Sequence, residues 1–136
     1  MEYAALGAWI VTAAAGTYLM GGRLAQGGLL EQSTKVTRYP ALVVVGHPVA
    51  ALAGLAAWVV YLATERTGYA WAAFSALLVV VLLGFVLFTR WLVGQGGRHA
   101  RDAGQPFPAA AVLVHGAVAA ATIVLVFLTA LDAGHR

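Results

Sequence analysis

Four long apolar runs dominate this chain and leave it little choice of fold. They cover roughly Tyr3 to Gly22, Tyr39 to Ala63, Tyr69 to Val93 and Phe107 to Leu131. A hydrocarbon core ~30 Å thick takes about 20 residues of helix to cross, and each run is of that order. Backbone polar groups in lipid must bond internally, so such a run becomes a helix. The runs consume nearly all of the 136 residues, and no stretch is left for a soluble domain with its own chemistry. The composition agrees, being 62% hydrophobic and only 10% charged. The expected fold class is an all-α membrane protein, a four-transmembrane-helix bundle forming a single membrane domain over 1–136. The first run carries Glu2 and no basic leader, so it reads as a retained helix and not a signal peptide.

The runs are related in pairs. His47 lies in YPALVVVGHPVAA and His115 in FPAAAVLVHGAVAA, and 115 − 47 = 68, half of 136. At that same offset Pro40 matches Pro108, Ala51 matches Ala119 and Gly16 matches Gly84. The chain therefore reads as two tandem helical hairpins, 1–68 and 69–136, in parallel repeat. Parallel repeats are related by an axis along the membrane normal. The second and fourth helices become diagonal partners. His47 and His115 each follow a helix-opening proline by 7 residues, so they share one depth, ~10 Å into their helices.

Charge sets the expected topology. The loop from Gly21 to Arg38 carries Arg23, Lys35 and Arg38 against Glu31, and the loop from Gly94 to Pro106 carries Arg98 and Arg101 against Asp102. Glu65 and Arg66 cancel in the short connection. The positive-inside rule puts both long loops in the cytoplasm and both termini outside. The net charge of +3 reports topology and lipid headgroups, not nucleic acid. Trp9, Trp58, Trp71, Trp91, Tyr61 and Tyr69 fall mostly towards helix ends, where an interfacial aromatic belt is expected. The Ala, Val and Gly usage hints at a bacterial plasma membrane.

The histidine pair is the main chemical signal. An ionisable residue at membrane depth is costly and usually functional. Iron in haem takes two axial imidazoles from opposite sides, and bundle cores build such sites from facing helices. Ala51, Ala119, Gly54 and Thr122 follow the histidines by one and two turns and are expected to clear room for a macrocycle. Arg38 and Arg90, closest to the membrane among the cations, are expected to pair with its propionates. The bland alternative is that each imidazole simply bonds a helix backbone or hydroxyl. Copper is a weaker alternative, and so is zinc, which wants three or four ligands. Pro48 frees the carbonyl of Val44, a candidate acceptor for His47, although a packing kink explains Pro48 as well. His99 and His135 read as solvated.

The exclusions are firm. No cysteine is present, which removes thiolate metal sites, iron–sulfur clusters and covalently attached haem. No Asp, Glu, Lys or Arg lies mid-membrane, which argues against a proton-coupled exporter. The Gly-Gly pairs sit in loops and do not make a phosphate cradle.

The layout and the His47/His115 pair resemble the small membrane b-type cytochromes, such as cytochrome b561-like proteins and the membrane anchors of succinate dehydrogenase. The resemblance implies one haem b and electron transfer, with a quinone, a redox protein or another subunit as partner. It implies no catalysis by this chain alone. Association with itself or with other chains is compatible with it. Two other functions stay open: a non-redox accessory or scaffold subunit, and a transporter or sensor of haem or another small molecule.

Overall fold

The computed structural model describes residues 1–25, 40–94 and 108–135. It is a bundle of four helices: α1 (Glu2–Ala25), α2 (Ala41–Thr64), α3 (Thr67–Gly94) and α4 (Ala109–His135). All four are long and apolar enough to cross a membrane. Their outward faces carry large apolar side chains in the open, among them Leu42, Leu52, Leu82 and Phe85. Water would penalise such a surface and acyl chains would not.

Local chemistry sets the helix ends. Pro40 and Pro108 stand immediately before α2 and α4, one residue earlier than the first-turn placement expected from sequence. The Pro40 carbonyl accepts the N–H groups of Val43 and Val44, and the Pro108 carbonyl accepts that of Val112. The missing N–H of each proline costs nothing there. α2 ends at Glu65, whose φ of 54° is left-handed. Its N–H donates to the Tyr61 carbonyl at 2.7 Å, and Glu65–Arg66 then turn the chain straight into α3.

The helices form a ring in chain order, with α2 diagonal to α4 as the repeat predicts. Packing around the ring is uneven. α2 lies most extensively on α3, and α1 on α4, whereas α1 touches α2 least. The tight pairs therefore join one half of the repeat to the other. Two pairs, α2/α3 and α1/α4, face each other.

Among the described residues, the faces share one buried cluster, at one end of the bundle. Ala5, Trp9, Trp58, Tyr61, Ala70, Ala73, Leu77, Val126 and Ala130 form one buried cluster. All lie where α1 and α3 begin and where α2 and α4 end. This corrects the aromatic-belt expectation. Trp9, Trp58 and Tyr61 are core side chains, and Trp91 is buried as well, while Tyr69 and Trp71 remain exposed. Amphipathic rings near helix ends serve a packed core as readily as a lipid interface. At the opposite end, where the long loops attach, Val44 and Trp91 are the buried side chains among the described residues.

Candidate functional site

His47 and His115 lie towards that more open end, each on the inward side of its tight pair. Each begins seven residues after its helix-opening proline, so equal spacing becomes equal depth. The two rings face one another across the bundle, with centroids 6.3 Å apart and planes inclined at 61°.

Each ring bonds the backbone of the neighbouring helix, the contact that the alternative to a ligand role expects. Nδ1–H of His47 donates to the Val80 carbonyl of α3 at 3.0 Å. Nδ1–H of His115 donates to the Thr12 carbonyl of α1 at 3.1 Å. The acceptors obey the repeat, since 80 − 12 = 68. A carbonyl can only accept, so the proton of each neutral ring sits on Nδ1 and the lone pair sits on Nε2. The acceptor for His47 is thus Val80 and not Val44, and the use of Pro48 to orient the ring is not seen.

Glycines complete the brace. A Cβ added at Gly16 would stand 3.1 Å from Cε1 of His115, and one at Gly84 would stand 3.2 Å from Cε1 of His47. A methyl at either position would crowd the imidazole, which would have to give by a few tenths of an ångström. These two glycines also differ by 84 − 16 = 68. The sequence pairs them at the repeat offset but gives them no place at the site. Their signal was present: glycine recurring at the histidine offset. The Thr12 and Val80 carbonyls had no signal, because a backbone acceptor is independent of side-chain type.

The remaining expected site residues divide. Ala51 and Ala119 sit one turn from the histidines and are half-buried. Gly54 is not clearance for a ligand: its Cα faces the Trp9 indole and Ala76, which a Cβ would meet at 3.0 Å each. Nor is Thr122 an empty space. Its hydroxyl donates to the Val118 carbonyl at 2.9 Å and lies 3.1 Å from that of Thr12. Both residues are two turns from the histidines, inside the closed end of the bundle. Arg90 is half-buried near the end of α3, on the open side. Arg38 and His99 lie outside the described residues, and His135 is exposed.

The donor set is selective. No group of three His, Cys, Asp or Glu that might hold a metal occurs among the described residues. A fully protein-ligated tetrahedral zinc site needs more than the two imidazoles provide. Two nitrogens each bonded at about 2 Å to one metal, with each ring centre about 1 Å behind its nitrogen, place the centres about 6 Å apart. The observed 6.3 Å is compatible with that spacing and equally with an edge contact between the two rings. Comparison with protein-family models, curated proteins and solved structures finds no match for this chain.

Proposed function

We propose that this protein is a membrane-embedded b-type cytochrome that carries electrons, with one haem b gripped between His47 and His115. The observation that carries the reading is the facing pair of imidazoles. Their centres are spaced for one shared metal, and both rings are braced through Nδ1 by repeat-related carbonyls. Holding the far nitrogen in this way presents Nε2 as ligand and raises its basicity. Gly16 and Gly84 admit the rings, and Ala51 and Ala119 keep the adjoining turns slim.

Haem supplies a one-electron couple. His47 and His115 would hold that group through both of its free positions, which favours a carrier over a catalyst. The closed core of Trp9, Trp58 and Tyr61 excludes water from one side. Arg90 and Arg38 are the cations we assign to the haem propionates. The basic loops favour the cytoplasmic side for the open end and the outside for the termini, and the Ala, Val and Gly usage favours a bacterial plasma membrane. A centre near one face does not carry an electron across the bilayer alone, so a quinone, a redox protein or another subunit is its partner.

Absorbance of the detergent-purified protein, oxidised and dithionite-reduced, is the test. The expected result is a low-spin haem b spectrum at one haem per chain, lost or converted to high spin in His47→Ala and in His115→Ala. A colourless protein, or variants that keep the parent spectrum, would end the reading.

A further inference from the structure

The two tight pairs are tied to each other at one end and carry a histidine each towards the other. At the closed end the Tyr61 hydroxyl of α2 donates to Oε1 of Glu2 in α1 at 2.8 Å, and the Thr67 hydroxyl of α3 donates to the Ala133 carbonyl of α4 at 3.0 Å. The Trp9 indole of α1 seats against Gly54 of α2. The buried cluster of aromatic and small side chains lies at the same end. Around the histidines the hydrogen bonds run within a pair. His47 of α2 donates to Val80 of α3, His115 of α4 donates to Thr12 of α1, and the Thr12 and Thr122 hydroxyls of α1 and α4 lie 3.1 Å apart. Each imidazole is thus fastened to its own pair and faces the other pair across 6.3 Å between ring centres.

We propose that α2/α3 and α1/α4 are two jaws that pivot on the closed core, part to admit the ligand of the histidines and are held shut by it. Hinged closure around a bound group needs stiff bodies and a localised joint. The extensive packing within each pair supplies the first, and the buried cluster supplies the second. The pivot stands on packing alone, whereas closure by the ligand rests on the haem reading above. The size of the movement follows from the ligand. A flat group bonded to an imidazole on each face holds the two nitrogens about 4 Å apart. Before it bonds, it needs ordinary contact of about 3.5 Å on each side, so the rings must part by about 3 Å. His47 lies about 21 Å from Tyr61 along α2, and Leu42 about 28 Å, at 1.5 Å per residue. A pivot that parts the rings by about 3 Å therefore moves the Leu42 end by about 4 Å. A group that bonds both imidazoles can do so only in the closed form, so its binding shifts the jaws shut.

The test is the distance between two spin labels, read by pulsed electron paramagnetic resonance on the full-length protein in detergent, with and without haemin and beside its absorbance. The chain has no cysteine of its own, so labels attach only where cysteines are placed. Leu42→Cys with Ala110→Cys reads the open end across the diagonal, and Ala63→Cys with Leu131→Cys reads the closed end. All four positions are exposed, and each couple is related by the repeat. Without haemin the open-end distances are expected to spread more widely than the closed-end ones. Haemin is expected to narrow them and shorten their mean by up to about 4 Å, and to leave the closed end as it was. An open-end spread no wider than the closed-end one overturns the jaws. Haem absorbance with an unshortened open-end distance overturns closure by the ligand. A wide open-end spread without haem absorbance supports the pivot and refutes the haem reading. If the first couple does not accumulate, Val45→Cys with Leu113→Cys reads the same opening from exposed positions further along the two helices.

Discussion

Gly54→Ala separates packing from ligand clearance at one position. The added methyl would lie 3.0 Å from Cβ of Ala76 and 3.0 and 3.1 Å from Cζ2 and Cη2 of Trp9. Carbon atoms at their optimum sit about 3.5–4.0 Å apart, so the surroundings must yield by about 0.5–1 Å. Little there can yield. The Trp9 indole is 2% exposed and wedged in the core, and Ala76 has no side-chain torsion to turn. α2 would have to move away from both α3 and α1. Overpacking of this kind costs about 1–3 kcal/mol, which lowers the folded-to-unfolded ratio roughly 5-fold to more than 100-fold. Thermal or denaturant unfolding in detergent, followed by tryptophan emission, measures it. The haem spectrum proposed above is expected to survive in the folded fraction, because Gly54 faces Trp9 and not the imidazoles. A variant as stable as the parent would refute the packing argument. A stable, folded variant that has lost haem would return Gly54 to the ligand site.

Other expectations follow from the same contacts. Thr122→Val keeps the shape but removes the hydroxyl that meets Thr12 and Val118, and it should cost about 0.5–1 kcal/mol in the same unfolding assay; a loss well beyond that would mean the hydroxyl pair does more than join α1 to α4. Glu65 is the non-glycine residue with positive φ among those described, so Glu65→Gly should raise stability by about 0.5–1 kcal/mol, and a destabilised variant would contradict the cap. Reporter fusions at either terminus should read as external and insertions in either long loop as cytoplasmic; the reverse pattern would invert the topology derived from the loop arginines.

Much of the architecture is written locally. Run length and the absence of mid-membrane charge dictate four spanning helices, because lipid offers the backbone no other partner. Pro40 and Pro108 mark where two of them begin, and Glu65–Arg66 where two are joined. The gap-free offset that relates His47 to His115 conveys equal depth, since helical rise is constant along an axis. The same offset carries Gly16 and Gly84, which sequence reading could pair but not place.

Other features depend on which helices touch. α2 prefers α3 and α1 prefers α4, so each histidine is braced by the opposite half of the repeat. Repetition alone says only that the two halves match, not how they interlock. Trp9 and Trp58 show the same limit: both occur where a lipid belt would put them, yet both are core, because helix rotation decides whether a ring faces lipid or a neighbour. Gly54 and Thr122 occupy equivalent positions, but one admits an indole and the other a hydroxyl contact. Periodicity along a helix names the residues that share a face; the choice of what that face meets belongs to three-dimensional packing, where contacts distant in sequence compete for the same few ångströms.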